Sequence, residues 1–283
     1  MIAVAPTIAP ADALLAGDFA SLALLATVTF VAAAVNSVAG GGTILTFPAL
    51  AAILPPDPAR LVVANATSTI GLWPGALSAA WASRGDRAGQ QPFTRWLVVP
   101  SVAGALVGAW LVVVLPPAWF AATVPWLILV AAVLFALQPR IVRLAARRPA
   151  NAGATTAAGA AAHLPAACVL QFAVAVYGGY FGAGIGIMML AMLGFLGLGD
   201  IHRLNAVKNV LGTVVNGVAA LFFAVGSCAG SHAVSWPHAA VMAVGACGGG
   251  LVGSLVARRL PAPLVRRGVA LIAFALAGYY FAT

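Results

Sequence analysis

Ten apolar stretches run through this chain, and no acidic residue stands inside any of them. They cover approximately 19–39, 43–54, 60–82, 96–115, 118–138, 164–181, 184–198, 203–226, 238–257 and 263–281. Most approach the ~20 apolar residues that a helix needs to cross a bilayer. A soluble domain carries charge on roughly a quarter of its residues, whereas only 7% are charged here. The expectation is an all-α polytopic membrane protein, with the lipid bilayer as its surroundings. The second and seventh stretches are short, and at ~1.5 Å per residue they leave open whether both cross fully.

The net charge of +9 does not point to nucleic acid, because no basic stripe alternates with aromatic residues. The arginines sit instead in gaps between apolar stretches. Arg84, Arg87 and Arg95 follow the third, and Arg140, Arg143, Arg147 and Arg148 follow the fifth. Arg258, Arg259, Arg266 and Arg267 follow the ninth. The alternate loops, around Pro116–Pro117 and at 227–237, carry no Lys or Arg. Basic loops face the cytoplasm, so both termini are expected outside a bacterial cytoplasmic (inner) membrane. Residues 1–18 hold Asp12 and Asp18 but no Lys or Arg, so no cleavable signal peptide is expected. Cys168, Cys228 and Cys247 form no CxxC pair and read as apolar filler. No metal site and no cofactor is expected.

A shift of about 144 residues lays the second half on the first. Gly40 and Gly42 fall on Gly184 and Gly186, Asn65 on Asn209, and Thr69 on Thr213. With one more residue, Leu106–Gly108 meets Leu251–Gly253. Each half holds five stretches, an odd number, so the halves must insert in opposite senses. The expected fold is two inverted-topology repeats, 1–138 and 164–283, joined by a cytoplasmic linker at 139–163. Broken glycine-rich helices would meet at the repeat interface, where such transporters place their site.

The breaks are AGGGTILTFP (39–48) and GGYFGAGIGI (178–187). Unwound backbone at membrane depth is tolerated only when it is buried in protein or lines a water-filled cavity. Each break opens a short helix, near Thr43 and near Ile187, whose N-terminal amides favour an anion. The plainer reading of such glycines is close helix packing. Polar residues cluster just beyond: Asn65, Thr67, Ser68 and Thr69, then Asn205, Lys208, Asn209, Thr213 and Asn216. An Asn amide suits an oxyanion or an interhelical hydrogen bond. Lys208, the one lysine, is either a counter-charge for an anion or a cation snorkelling to the interface. His202 is the titratable candidate for proton coupling, since no carboxylate lies in a span. Trp73 and Tyr177 flank the polar zone, while Trp96, Trp110, Trp119, Trp126 and Trp236 read as lipid-facing or interface-belt residues.

These motifs, with VANATST (63–69) and RLNAVKNVLGT (203–213), make the chain resemble the sulfite exporter TauE/SafE family over about 20–281. That family is also known as the toluene sulfonate uptake permeases. The resemblance implies secondary transport of small sulfur-containing anions such as sulfite, sulfoacetate or other organosulfonates, in the export direction. It would place Gly40, Gly41, Gly42 and Thr43, with Gly182, Gly184 and Gly186, at the substrate-facing breaks. Asn65, Thr69, Lys208, Asn209 and Thr213 would line the site. The second copy departs from the pattern: Ile185 splits Gly184 from Gly186, and Met192 stands where Pro48 has its counterpart. An anion channel, or a carrier of a non-sulfur organic anion, would use the same positive site. An intramembrane enzyme lacks its machinery here, with no HExxH, cysteine pair or buried acid. A scaffold subunit lacks a long soluble arm, although the apolar exterior leaves room for a homodimer.

Overall fold

The computed structural model describes residues 19–39, 42–82, 91–147, 157–195, 201–231, 234–256 and 262–282. Among these it forms ten α-helices and no strand. They are α1 Phe19–Ala39, α2 Thr43–Ile53, α3 Arg60–Ala82, α4 Gln91–Val114 and α5 Pro117–Arg147. The second half follows with α6 Ala157–Tyr180, α7 Ile185–Phe195, α8 Ile201–Gly226, α9 Trp236–Val256 and α10 Ala262–Ala282. Each coincides with one apolar stretch, in order. Four segments are long and apolar enough to cross a membrane by themselves: Phe19–Ser37, Thr94–Val114, Pro117–Ile141 and Leu204–Gly230. α5 runs on to Arg147 and α6 already begins at Ala157, so helix extends into the stretch 139–163 from both sides.

Local sequence explains the helix ends. Three prolines near Asp57 prevent α2 from continuing. The Asp57 Oδ1 then accepts from the Ala59 N–H at 2.7 Å, and its carbonyl accepts from Arg60 N–H at 2.9 Å, which starts α3. Proline inside α3, α4, α5 and α6 is tolerated because neighbouring helices shield the backbone groups it frees.

The helices assemble through small residues rather than through large apolar ones. Lipid is as apolar as leucine, so association in a membrane depends on close backbone approach. The most extensive contacts pair α4 with α6 and α9 with α1. On α4, Gly104 lies on the Phe172 carbonyl of α6 and Gly108 on the Val176 carbonyl. On α9, Gly249 lies on the Phe30 carbonyl of α1 and Gly253 on Ala34. Gly71 and Gly75 of α3 press in the same way on Met242 and Ala246 of α9. The larger core side chains gather elsewhere: Phe47, Phe120, Phe135 and Phe181 are all at most 1% exposed. Six of the seven tryptophans (Trp81, Trp96, Trp110, Trp119, Trp126 and Trp236) are exposed on the outer surface, which is the face lipid would cover.

Candidate functional site

The glycine-rich segments bring distant parts of the chain together. α6 ends at Tyr180, and the backbone turns through Phe181–Gly184 before α7 begins. Gly182 and Gly184 hold φ of 80° and 77°, left-handed values that glycine alone adopts without cost. The Tyr177 hydroxyl donates to the Ala183 carbonyl at 2.6 Å and pins the turn to the helix that precedes it. A methyl group added at Gly182 would lie 3.6 Å from Asn216 Oδ1 of α8 and 3.8 Å from Thr43 Oγ1 of α2. So the start of α2, the second glycine turn and the middle of α8 meet at one place. Gly182→Ala is expected to destabilise the protein by about 1–2 kcal/mol, the cost of a left-handed residue with a Cβ. A melting scan against wild type checks this, and an unchanged midpoint would mean that the turn relaxes freely.

Gly42, Thr43, Asn65 and Thr69 are buried here. The Gly42 N–H donates to Asn36 Oδ1 at 3.4 Å, and Leu45 and Thr46 N–H donate back to the Gly42 carbonyl. The amides of Thr43 and Ile44 have no carbonyl one turn earlier within α2. Thr46 Oγ1 and Ser68 Oγ share a hydrogen bond of 2.6 Å, tying α2 to α3. Asn65 Nδ2 donates to the Tyr180 carbonyl at 3.0 Å, so α3 holds the last carbonyl of α6. The Asn65 Oδ1 is buried without a hydrogen-bond partner, although buried polar atoms are nearly always paired. One turn on, the Thr69 hydroxyl donates to the Asn65 carbonyl at 2.9 Å.

α8 supplies the other wall. Its Leu204, Val207, Leu211 and Val215 are buried in an apolar cluster with α4, α6 and α7. Asn205, Asn209, Gly212 and Asn216 recur at the spacing of one helix face, and all four are partly exposed. A methyl at Gly212 would meet nothing within 4 Å, so open space borders this polar stripe. Lys208 stands beside the stripe and is only 3% exposed. It is enclosed by protein. Thr213 is bound into the α3 contact: its hydroxyl donates to the Ala76 carbonyl at 2.9 Å, and its carbonyl accepts from Trp73 Nε1 at 3.2 Å. Trp73 thereby packs over Gly217 and serves as a pin between α3 and α8.

Several expected residues converge and others stand apart. Gly42, Thr43 and Gly182 come together around Asn216, and Asn65 joins them through Tyr180. Gly184 faces Ala131 and Leu134 of α5, and Gly186 is buried inside α7. Gly40 and Gly41 lie outside the described residues, as does the side chain of His202. Asn36, Thr46 and Tyr180 were missed by composition and spacing. A hydrogen-bonding residue within one turn of each glycine run was the signal that could have found them. A second buried polar pair also escaped notice: Ser235 Oγ bonds His238 Nδ1 at 2.8 Å, while the Ser235 N–H donates to Thr67 Oγ1 at 2.9 Å. Among the described residues, no group of His, Cys, Asp and Glu could hold a metal ion.

The family model for "Sulfite exporter TauE/SafE" matches residues 25–280. A protein described as "Probable membrane transporter protein ORF9", from Sinorhizobium sp, is 29% identical over 265 residues, covering 92% of both chains. No solved structure matches.

Proposed function

The chain belongs to the sulfite exporter TauE/SafE family, and from that membership we propose that it is a secondary transporter of small sulfur-containing anions. Sulfite, sulfoacetate and other organosulfonates are the substrates, and export from the cytoplasm is the direction. The observation that carries this reading is the partly exposed polar face of α8, which borders open space at Gly212 beside the buried Lys208. It runs to the place where the start of α2 approaches the Gly182 turn. A buried cation, asparagine amides and helix N-terminal amides together suit a compact oxyanion. A sulfur oxyanion group that also carries a donor, as in hydrogensulfite or zwitterionic taurine, would satisfy Asn65 Oδ1 as well.

Alternating access is the mechanism in this reading, with one half rocking against the other. Its support is the matched pairing of helices: α4 lies on α6 as α9 lies on α1, through corresponding glycines. Two inverted repeats, 1–138 and 164–283, would produce such a pairing, and the site would then lie between them. The chain would lie in a bacterial inner membrane with both termini outside, as its arginine-rich loops favour. Asn209 and Thr213 would line the path, and His202 is the candidate for proton coupling.

The test is flux from proteoliposomes loaded with sulfite, sulfoacetate, taurine or sulfate. One sulfur oxyanion is expected to leave faster than from empty liposomes, at carrier rates and with saturation. Turnover at channel rates would favour a pore, and no flux for any of them would sink the substrate class. Gly212→Leu refines the result. Its side chain enters open space, so the melting midpoint is expected to change little, while transport falls severalfold as the path narrows. Wild-type flux in Gly212→Leu would remove α8 from the path.

A further inference from the structure

Away from the glycine turns, the end of α5 and the start of α10 enclose a groove of about 910 Å³ that the transport reading does not use. The two helices run antiparallel there: Arg140 and Arg143, late in α5, share the groove with Arg267, early in α10. All three arginines are exposed, and among the described residues no carboxylate lines the groove. Arg140 and Arg143 are three residues apart, so they share a helix face. From Arg143 back to Phe135 is a distance of about 12 Å along the helix, at 1.5 Å per residue. Over that span the lining turns wholly apolar, with Phe135 buried at its floor and Phe274 and Leu271 exposed at 42% and 71%.

We propose that this groove binds one anionic phospholipid. The three guanidinium groups hold the phosphate headgroup, and the acyl chains lie along Phe135, Leu271 and Phe274. The charge and the polarity gradient both favour this occupant. A small oxyanion would neutralise the arginines but leave the apolar length empty, and a neutral lipid would leave them without a counter-charge. Arginine forks match phosphate oxygens in pairs, and basic pockets between membrane helices suit anionic headgroups. This site rests only on the membrane setting, not on the transported substrate.

The experiment is native mass spectrometry of the purified full chain, released from a mixture of phosphatidylglycerol and phosphatidylcholine. The expected result is one retained phosphatidylglycerol in preference to phosphatidylcholine. Combined Arg140→Gln, Arg143→Gln and Arg267→Gln is expected to lower that occupancy at least fivefold, the matching triple Lys variant to keep most of it, and Arg95→Gln to leave it unchanged. Should the triple Gln variant fail to fold, single Arg143→Gln and Arg267→Gln carry the test, each with at least a twofold loss. Equal retention of both lipids, or wild-type occupancy in the Gln variants, overturns the proposal. So does displacement of the lipid by excess sulfite, which would make the groove part of the substrate path. A dimer that persists without lipid and is lost in the Gln variants would assign the groove to a second copy instead, and would also overturn it.

Discussion

Lys208→Ala is expected to weaken anion binding at least tenfold, about 1.4 kcal/mol. The side chain is 3% exposed and is the only lysine of the chain. Burying a charge is costly unless it is paired or hydrogen-bonded, and a small oxyanion is a fitting partner for this ammonium. Hydrogen bonds to a charged group contribute about 1.5–3 kcal/mol each, and a bound oxyanion would collect at least one here. Lys208→Met separates charge from packing. It keeps most of the volume and leaves neither a cavity nor a buried charge. The expected pair of results is a melting midpoint near wild type with binding reduced as in Lys208→Ala, read by calorimetry against sulfite and sulfoacetate. If both variants bind like wild type, Lys208 supports the fold alone and the site must be sought elsewhere.

Gly108→Val is expected to destabilise the protein by about 3 kcal/mol, at the upper end of what overpacking usually costs. A Cβ at this position meets the Val176 carbonyl, and it would stand 2.7 Å from the Tyr180 N–H and 2.9 Å from the Gly179 carbonyl carbon. These are backbone atoms of α6, and no rotamer change moves them aside. α4 and α6 must therefore separate along their most extensive contact. The same displacement shifts Tyr180, whose carbonyl Asn65 holds, and with it the turn through Gly182. Loss of folded protein and loss of transport are expected together. Size-exclusion profiles after heating would reveal the first, with Gly268→Ala as the control, since a methyl there meets nothing within 4 Å. Wild-type melting of Gly108→Val would mean that the α4–α6 contact is not tight.

How much of this was legible beforehand differs from residue to residue. Every helix was, because apolar length and proline or glycine punctuation are local properties: α2 stops at the prolines around Asp57, and α7 starts just after Gly184. The glycines at 104, 108, 249 and 253 were visible as letters, but their partners were not. Gly104 meets Phe172 and Gly249 meets Phe30 only because helices far apart in sequence pack side by side. Asn65 shows the same limit. Its amide looked equally suited to an anion and to a neighbouring helix, and one of its N–H groups is in fact donated to the Tyr180 carbonyl.

What the amino-acid order determined by itself was an all-helical membrane protein of the TauE/SafE family, with its helices in sequence and its polar residues near the glycine runs. Those features follow from transfer free energy and backbone sterics, which act over a few residues. Tertiary structure alone decided that Lys208 is enclosed by protein, that Asn205, Asn209, Gly212 and Asn216 form one partly exposed face with open space at Gly212, and that Gly182 lies beside Thr43 and Asn216. The same membrane helix can turn any face to lipid, to a neighbour or to a cavity. That choice depends on the summed close contacts of all the helices around it, which no single stretch of sequence encodes.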